Sequence, residues 1–147
     1  MKLSRIVYGI AVTLLSGCLL GVAQDVAQDK DKQGKANPNF TGGSPIPLEQ
    51  GKSAIAYFRF PPGVRTKWHS HGGGQIILVE EGVGLYQVRG GPVMELHAGE
   101  TVYAAPDVVH WHGAAPDRGG VHYNVTRGDI KWLEEVTDAE FNVKPKR

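Results

Sequence analysis

The sequence predicts an all-β fold, an antiparallel sandwich or barrel. Short apolar and aromatic runs follow one another from about residue 54 to the end. Turn residues punctuate them, with glycine at 20 and proline at 9 in 147 residues, as tight turns between many strands require. Beyond the leader, no long stretch holds an apolar period of 3.6, which argues against a helical core. The length suits one domain.

Met1 to Ala23 reads as an export signal. Lys2 and Arg5 give a positive start, Ile6 to Leu15 is mostly apolar, and the small residues Gly21 and Ala23 precede a cut before Gln24. Leu15-Ser16-Gly17-Cys18 offers a second reading, a lipoprotein signal ending at Gly17 with a lipid anchor on Cys18. Either way the protein is exported, as a periplasmic or secreted protein or as a lipid-anchored one. Residues 24–45 are polar and charged at first and then loop-like, and read as a flexible linker ahead of a domain at 46–143.

Within the domain, Ala54 to Phe60 reads as a strand ended by Pro61-Pro62-Gly63. Thr66 to His71, Gln75 to Glu81, Val83 to Arg89, Val93 to Leu96 and Thr101 to Ala104 follow as strands. His110 to Ala114, Val121 to Arg127 and Lys131 to Val136 complete the set. Thr137 to Phe141 forms one helical turn, with Thr137 and Glu140 as a capping box. The Lys-Pro-Lys-Arg end reads as a solvated tail.

Charge excludes some partners. Sixteen basic and 15 acidic side chains leave a net charge of +1, so no nucleic-acid partner is expected. Cys18 is the single cysteine and lies in the leader. The domain therefore has no disulfide and no cysteine nucleophile.

The chemistry gathers at Gly63 to Gly82. His69 and His71 are two apart, so on a strand both imidazoles point to one face. Gly72 to Gly74 let the chain turn so that Gln75 re-enters on the next strand. A further histidine cluster begins at His110. Imidazole is the commonest protein metal ligand, and this convergence predicts a metal site. His112 faces the same way as His110, either as an acid–base group or as a packed histidine. Trp68 and Trp111 face the opposite way, towards core or an interface. Alternation puts His122, Asn124 and Thr126 on one face and Tyr123 and Val125 on the other. His122 is thus a candidate base if its face is the inner one. His97, in a turn, is expected to be solvated.

The pattern G-x5-H-x-H-x3-Q-x6-G from Gly63 to Gly82 resembles the first motif of the cupins, with Gln75 where most members carry glutamate. Gly99 to His110 resembles the second, with Ala105 for the usual proline and Asp107 for the usual glycine. The resemblance covers about Ala54 to Phe141 and implies a double-stranded β-helix, the cupin or jelly-roll barrel. It implies His69, His71, Gln75 and His110 as ligands of one divalent transition metal ion per chain. The set carries no carboxylate, so the ion would keep its double charge and act as a strong Lewis acid. Nitrogen and oxygen ligation suits manganese, iron, cobalt, nickel or zinc.

His110 to Pro116, H-W-H-G-A-A-P, His122 and the W-x-E-x-V-T-D run from Trp132 to Asp138 are similar to small bacterial single-domain cupins. That group includes manganese-dependent hydroxynitrile lyases with the same ligand set, which puts manganese first among the metals. The resemblance implies that the metal binds a cyanohydrin hydroxyl while His122 moves a proton, with His112 nearby. Phe58, Phe60, Asn124 and Thr126 would line the substrate pocket, the two phenylalanines narrowing it unless they face outward.

Three functions compete. The first is a metal-dependent lyase acting on a small hydroxy or carbonyl compound. The second is a cupin dioxygenase, which needs a redox metal and consumes oxygen. The third is a non-catalytic module that binds a small ligand without turnover. Cupins of this kind often pair through an outer sheet face, so a homodimer through the Trp68 and Trp111 faces is expected.

Overall fold

A computed structural model describes residues 36–50 and 55–146. The expected signal segment, Cys18 and residues 24–35 of the linker lie outside the described residues, as does Arg147. The fold class is as expected: among the described residues there are eleven antiparallel strands in curled sheets and a single four-residue helix.

One strand joins the two sheets. β6 (Gln75–Val88) is 14 residues long, where the sequence reading has two strands separated at Gly82. Gly82 adopts φ 71°, and a Cβ there would lie 2.1 Å from the Gly119 carbonyl oxygen. Glycine thus bends the strand against a neighbouring backbone without ending it. The first half of β6 pairs with β10 (Gly120–Thr126) and β8 (Thr101–Ala104). β10 pairs in turn with β3 (Ile55–Phe60), and β3 with β2 (Ile46–Gln50). The second half of β6 pairs with β7 (Met94–His97) and β9 (His110–Ala114). β9 also meets β4 (Arg65–Thr66) and β5 (His69–His71), and β5 pairs with β11 (Ile130–Trp132).

The folded chain begins ahead of the expected boundary at Ile46. β1 (Phe40–Thr41) pairs with β4, and the Lys67 amide donates to the Asn39 carbonyl at 2.9 Å. Residues 40 and 41 are therefore strand and not linker. Phe40 supplies the reason: its ring packs on Phe60 and Trp132.

The two tryptophans are core, not interface. Trp111 is 0% exposed and clusters with Trp68, Leu85, Val93, Val136 and Phe141. The last two come from the C-terminal segment, which folds back over this outer sheet face. The helix α1 (Asp138–Phe141) carries the expected capping box, with Thr137 accepting from the Glu140 amide. Arg65 holds the segment from below: it donates to the Val136 carbonyl at 3.1 Å, meets Asp138 at 2.6 Å and lies 4.2 Å from the centre of the Phe141 ring. The expected homodimer face on Trp68 and Trp111 is thus covered by the chain itself. The tail is exposed at Lys144 and Lys146, as expected, but its backbone is tied down. The Lys146 amide donates to the Val93 carbonyl at 2.8 Å and the Glu95 amide to the Lys146 carbonyl at 3.1 Å, which lays residue 146 beside β7. His97 ends β7 instead of lying in the turn; it is half exposed and pairs with Glu95 at 3.1 Å.

Candidate metal centre

β5 and β9 bring three imidazoles together. His69 and His71 point inward from β5 by strand alternation, and His69 lies opposite His110 of β9. One ring nitrogen from each of His69, His71 and His110 falls within 4.8 Å of the others, and all three residues are buried. Gln75 opens β6 after the glycine turn, and its Oε1 lies 2.8 Å from His110 Nε2. The four residues implied as ligands therefore meet.

Backbone carbonyls orient two of the rings. His69 Nδ1 donates to the Lys67 carbonyl and His110 Nδ1 to the Val108 carbonyl, each at 2.9 Å. Each ring then carries its proton on Nδ1 and leaves Nε2 as a lone-pair donor, the arrangement in which metal-bound imidazoles are held. Neither ring nitrogen of His71 makes a hydrogen bond, although both are buried. An orphaned buried nitrogen beside two oriented lone pairs is what a bound cation would satisfy.

Electrostatics keep the rings neutral. Burial pushes His69 down to about 3 and His71 to about 4, with His110 reinforcing both. His110 is lowered by burial as well. Neutral imidazole is the ligating form. The 2.8 Å between Gln75 Oε1 and His110 Nε2 is short enough for both atoms to bind one ion. The residues present thus fit a divalent cation.

A cavity of about 330 Å³ opens over this cluster. His69, His71, Gln75, Phe58, Phe60, Asn124, Thr126 and His112 line it, so the proposed pocket residues do converge. Phe58 and Phe60 face inward and wall the cavity. The face of β10 that carries His122, Asn124 and Thr126 is the inner one, opposite Phe58, Ala56 and Gln75. His122 is the exception. It is 1% exposed, its ring stacks on Phe60 at 4.7 Å, and it is not among the lining residues. Bare backbone at Gly84 and Gly120 makes room for it. Its ring centre is 6.0 Å from that of His112. Burial lowers His112 well below the usual histidine range and His122 to about 4.

The sequence reading missed Phe40, Trp132, Ala56 and Asn37 in the cavity lining. Trp132 lies in the W-x-E-x-V-T-D run, and alternation from Ile130 offered a signal for it. Phe40 is a lone aromatic in a polar stretch and gave little.

The cupin domain family model matches residues 56–125. Over 92 residues the chain is 43% identical to an (R)-mandelonitrile lyase of Granulicella tundricola, covering 60% of this chain and 70% of the relative. Among solved structures, a cupin-like protein of Thermotoga maritima is 40% identical with a TM-score of 0.62, covering 75% of this chain and 91% of the other. A polyketide cyclase of Streptomyces resistomycificus shares the fold, with a TM-score of 0.55 at 19% identity over 71% of this chain and 78% of the other. The convergent histidines, the curled antiparallel sheets and these matches agree: the chain belongs to the cupin family, as a member similar to hydroxynitrile lyases.

Proposed function

We propose that the protein is a metal-dependent lyase of the hydroxynitrile-lyase type, acting on a small cyanohydrin or a related hydroxy or carbonyl compound. The observation that carries the reading is the all-neutral donor set at the cavity floor: three oriented or orphaned imidazoles and an amide, with no carboxylate among them. His69, His71, His110 and Gln75 would hold one divalent ion, with manganese proposed first by similarity to the lyases. When bound, that ion supplies a Lewis acid for a substrate oxygen.

The chain's own residues do the rest. Phe58 and Phe60 offer an apolar wall for the organic part of the substrate and exclude water. His112 and His122 form the acid–base pair. Both are neutral and buried, and His112 Nδ1 and both nitrogens of His122 lack partners. In cleavage an imidazole nitrogen takes the hydroxyl proton. The C–C bond breaks with its electron pair leaving on cyanide, the C=O bond forms, and the imidazolium returns the proton as hydrogen cyanide departs. His112 opens on the cavity, and His122 lies behind Phe60 with its ring centre 6.0 Å from that of His112.

The proposal extends to export, as a periplasmic, secreted or lipid-anchored protein, supported by the leader residues alone. It also includes a homodimer, which must use a face other than that of Trp68 and Trp111. The test is mandelonitrile cleavage, followed as benzaldehyde release, by wild type, His112→Ala and His122→Ala with metal content measured on each. The reading expects turnover in the wild type and losses of about a hundredfold or more in either variant with metal retained. No turnover by the metal-loaded wild type would end the mandelonitrile reading. Oxygen consumption with iron bound would favour a dioxygenase.

A further inference from the structure

One cavity wall is a continuous arc of aromatic rings. Phe58 meets Phe60 edge-on at 6.2 Å and 82°, and Phe60 meets Phe40 at 6.1 Å. Phe40 meets Trp132 at 6.2 Å, and Trp132 packs on His69 at 4.9 Å. The arc crosses three strands, β3, β1 and β11, and ends on a histidine of the metal centre. Phe40 is the link between the β3 pair and Trp132. It comes from β1, ahead of the residues matched by the family model.

Its position is held firmly. The Phe40 amide donates to the Asn37 carbonyl at 3.1 Å, and Phe40 pairs in register with Thr66. The next turn fits closely: a Cβ on Gly42 would lie 2.5 Å from the Gly63 carbonyl oxygen. The backbone that carries the ring is thus held in place, and the ring itself packs on Phe60 and Trp132 as part of the cavity's shape.

We infer that Phe40 is a specificity-determining residue, setting which size of ring-bearing ligand the cavity takes. The inference rests on the reading of this cavity as the ligand site, and does not depend on the lyase reaction. Removing the Phe40 ring leaves a gap in the arc that a one-ring ligand does not fill and a fused two-ring ligand can. Lost contact weakens the first, and gained room favours the second.

The test uses calorimetric titration of the manganese-loaded full chain with benzyl alcohol and with 2-naphthalenemethanol. Wild type, Phe40→Ala and Phe40→Leu are compared, with metal per chain and melting temperature measured on each. In Phe40→Ala the ratio of the two dissociation constants should move about tenfold towards the two-ring alcohol, with metal retained. Phe40→Leu should move it about threefold and serves alone if the alanine variant does not fold. An unchanged ratio in a folded, metal-bearing variant would overturn the inference, as would a wild type that binds neither alcohol. Mandelonitrile turnover is not a readout here, so failure of the lyase reading and failure of this inference are separate results.

Discussion

Thr126 Oγ1 accepts a hydrogen bond from Gln75 Nε2 at 3.1 Å, which leaves Gln75 Oε1 turned to His110 Nε2 at 2.8 Å. The two ends of one amide are thus sorted by chemistry. An amide oxygen can ligate a cation, and its NH₂ group cannot. The face of β10 that lines the cavity therefore also sets the orientation of a proposed ligand on β6.

Thr126→Val keeps the shape and removes the acceptor. Manganese affinity should fall by about tenfold, the lower end of what losing a ligand's supporting hydrogen bond does. Thr126→Ser should restore it. Competition against a fluorescent chelator measures both. Equal affinity in all three proteins would mean that Thr126 does not orient Gln75.

Acid should weaken the metal-free protein. Burial holds His122 near 4 in the native state, against 6.5 for an ordinary histidine. Between those values the unfolded chain binds a proton that native His122 does not. Stability is therefore full above pH 6.5 and falls as pH drops towards 4, by about 1.4 kcal/mol per pH unit for this group. His112, the titratable neighbour packed beside it, is displaced in the same direction. Urea unfolding of chelated protein at several pH values should show a shallower acid slope for His122→Asn than for wild type. Identical slopes would contradict the burial argument.

The C-terminal segment should be integral to stability. Phe141 is 4% exposed and packs with Trp111 at 5.8 Å. Phe141→Ala should cost about 3 kcal/mol. Asp138, which is 85% exposed in its pair with Arg65, should matter far less, with Asp138→Ala costing under about 1 kcal/mol. Chemical unfolding of the two variants tests the order. The reverse order would show that the ion pair, and not the buried ring, holds the segment.

Strand alternation made much of this site legible. It put His110 and His112 on one face with Trp111 on the other, and His122, Asn124 and Thr126 on a shared face that the structure shows to be the inner one. The departure at Asp107 also has a physical sense: its φ is 60°, a left-handed conformation in which glycine is the easier residue and aspartate is tolerated. Depth along the barrel was not legible. Alternation puts His122 on one face with Asn124 and Thr126 but does not say that Phe60 stacks over it, because that depends on the room left by Gly84 and Gly120. Phe40 gave no periodic signal, since a two-residue strand has no period. The pairing of Lys146 with β7 is made by backbone groups, which side-chain patterns do not report. The Trp68 and Trp111 faces looked available because Val136 and Phe141, which cover them, are remote in sequence.

Metal content tests the central claim most directly. Wild type and a His69→Ala/His71→Ala variant would be purified from manganese-supplemented medium and measured by mass spectrometry. The account predicts about one ion per chain in the wild type and its loss in the variant, with manganese favouring the lyase. No metal in the wild type, even after reconstitution, would contradict the account and leave a barrel that binds ligands without metal chemistry.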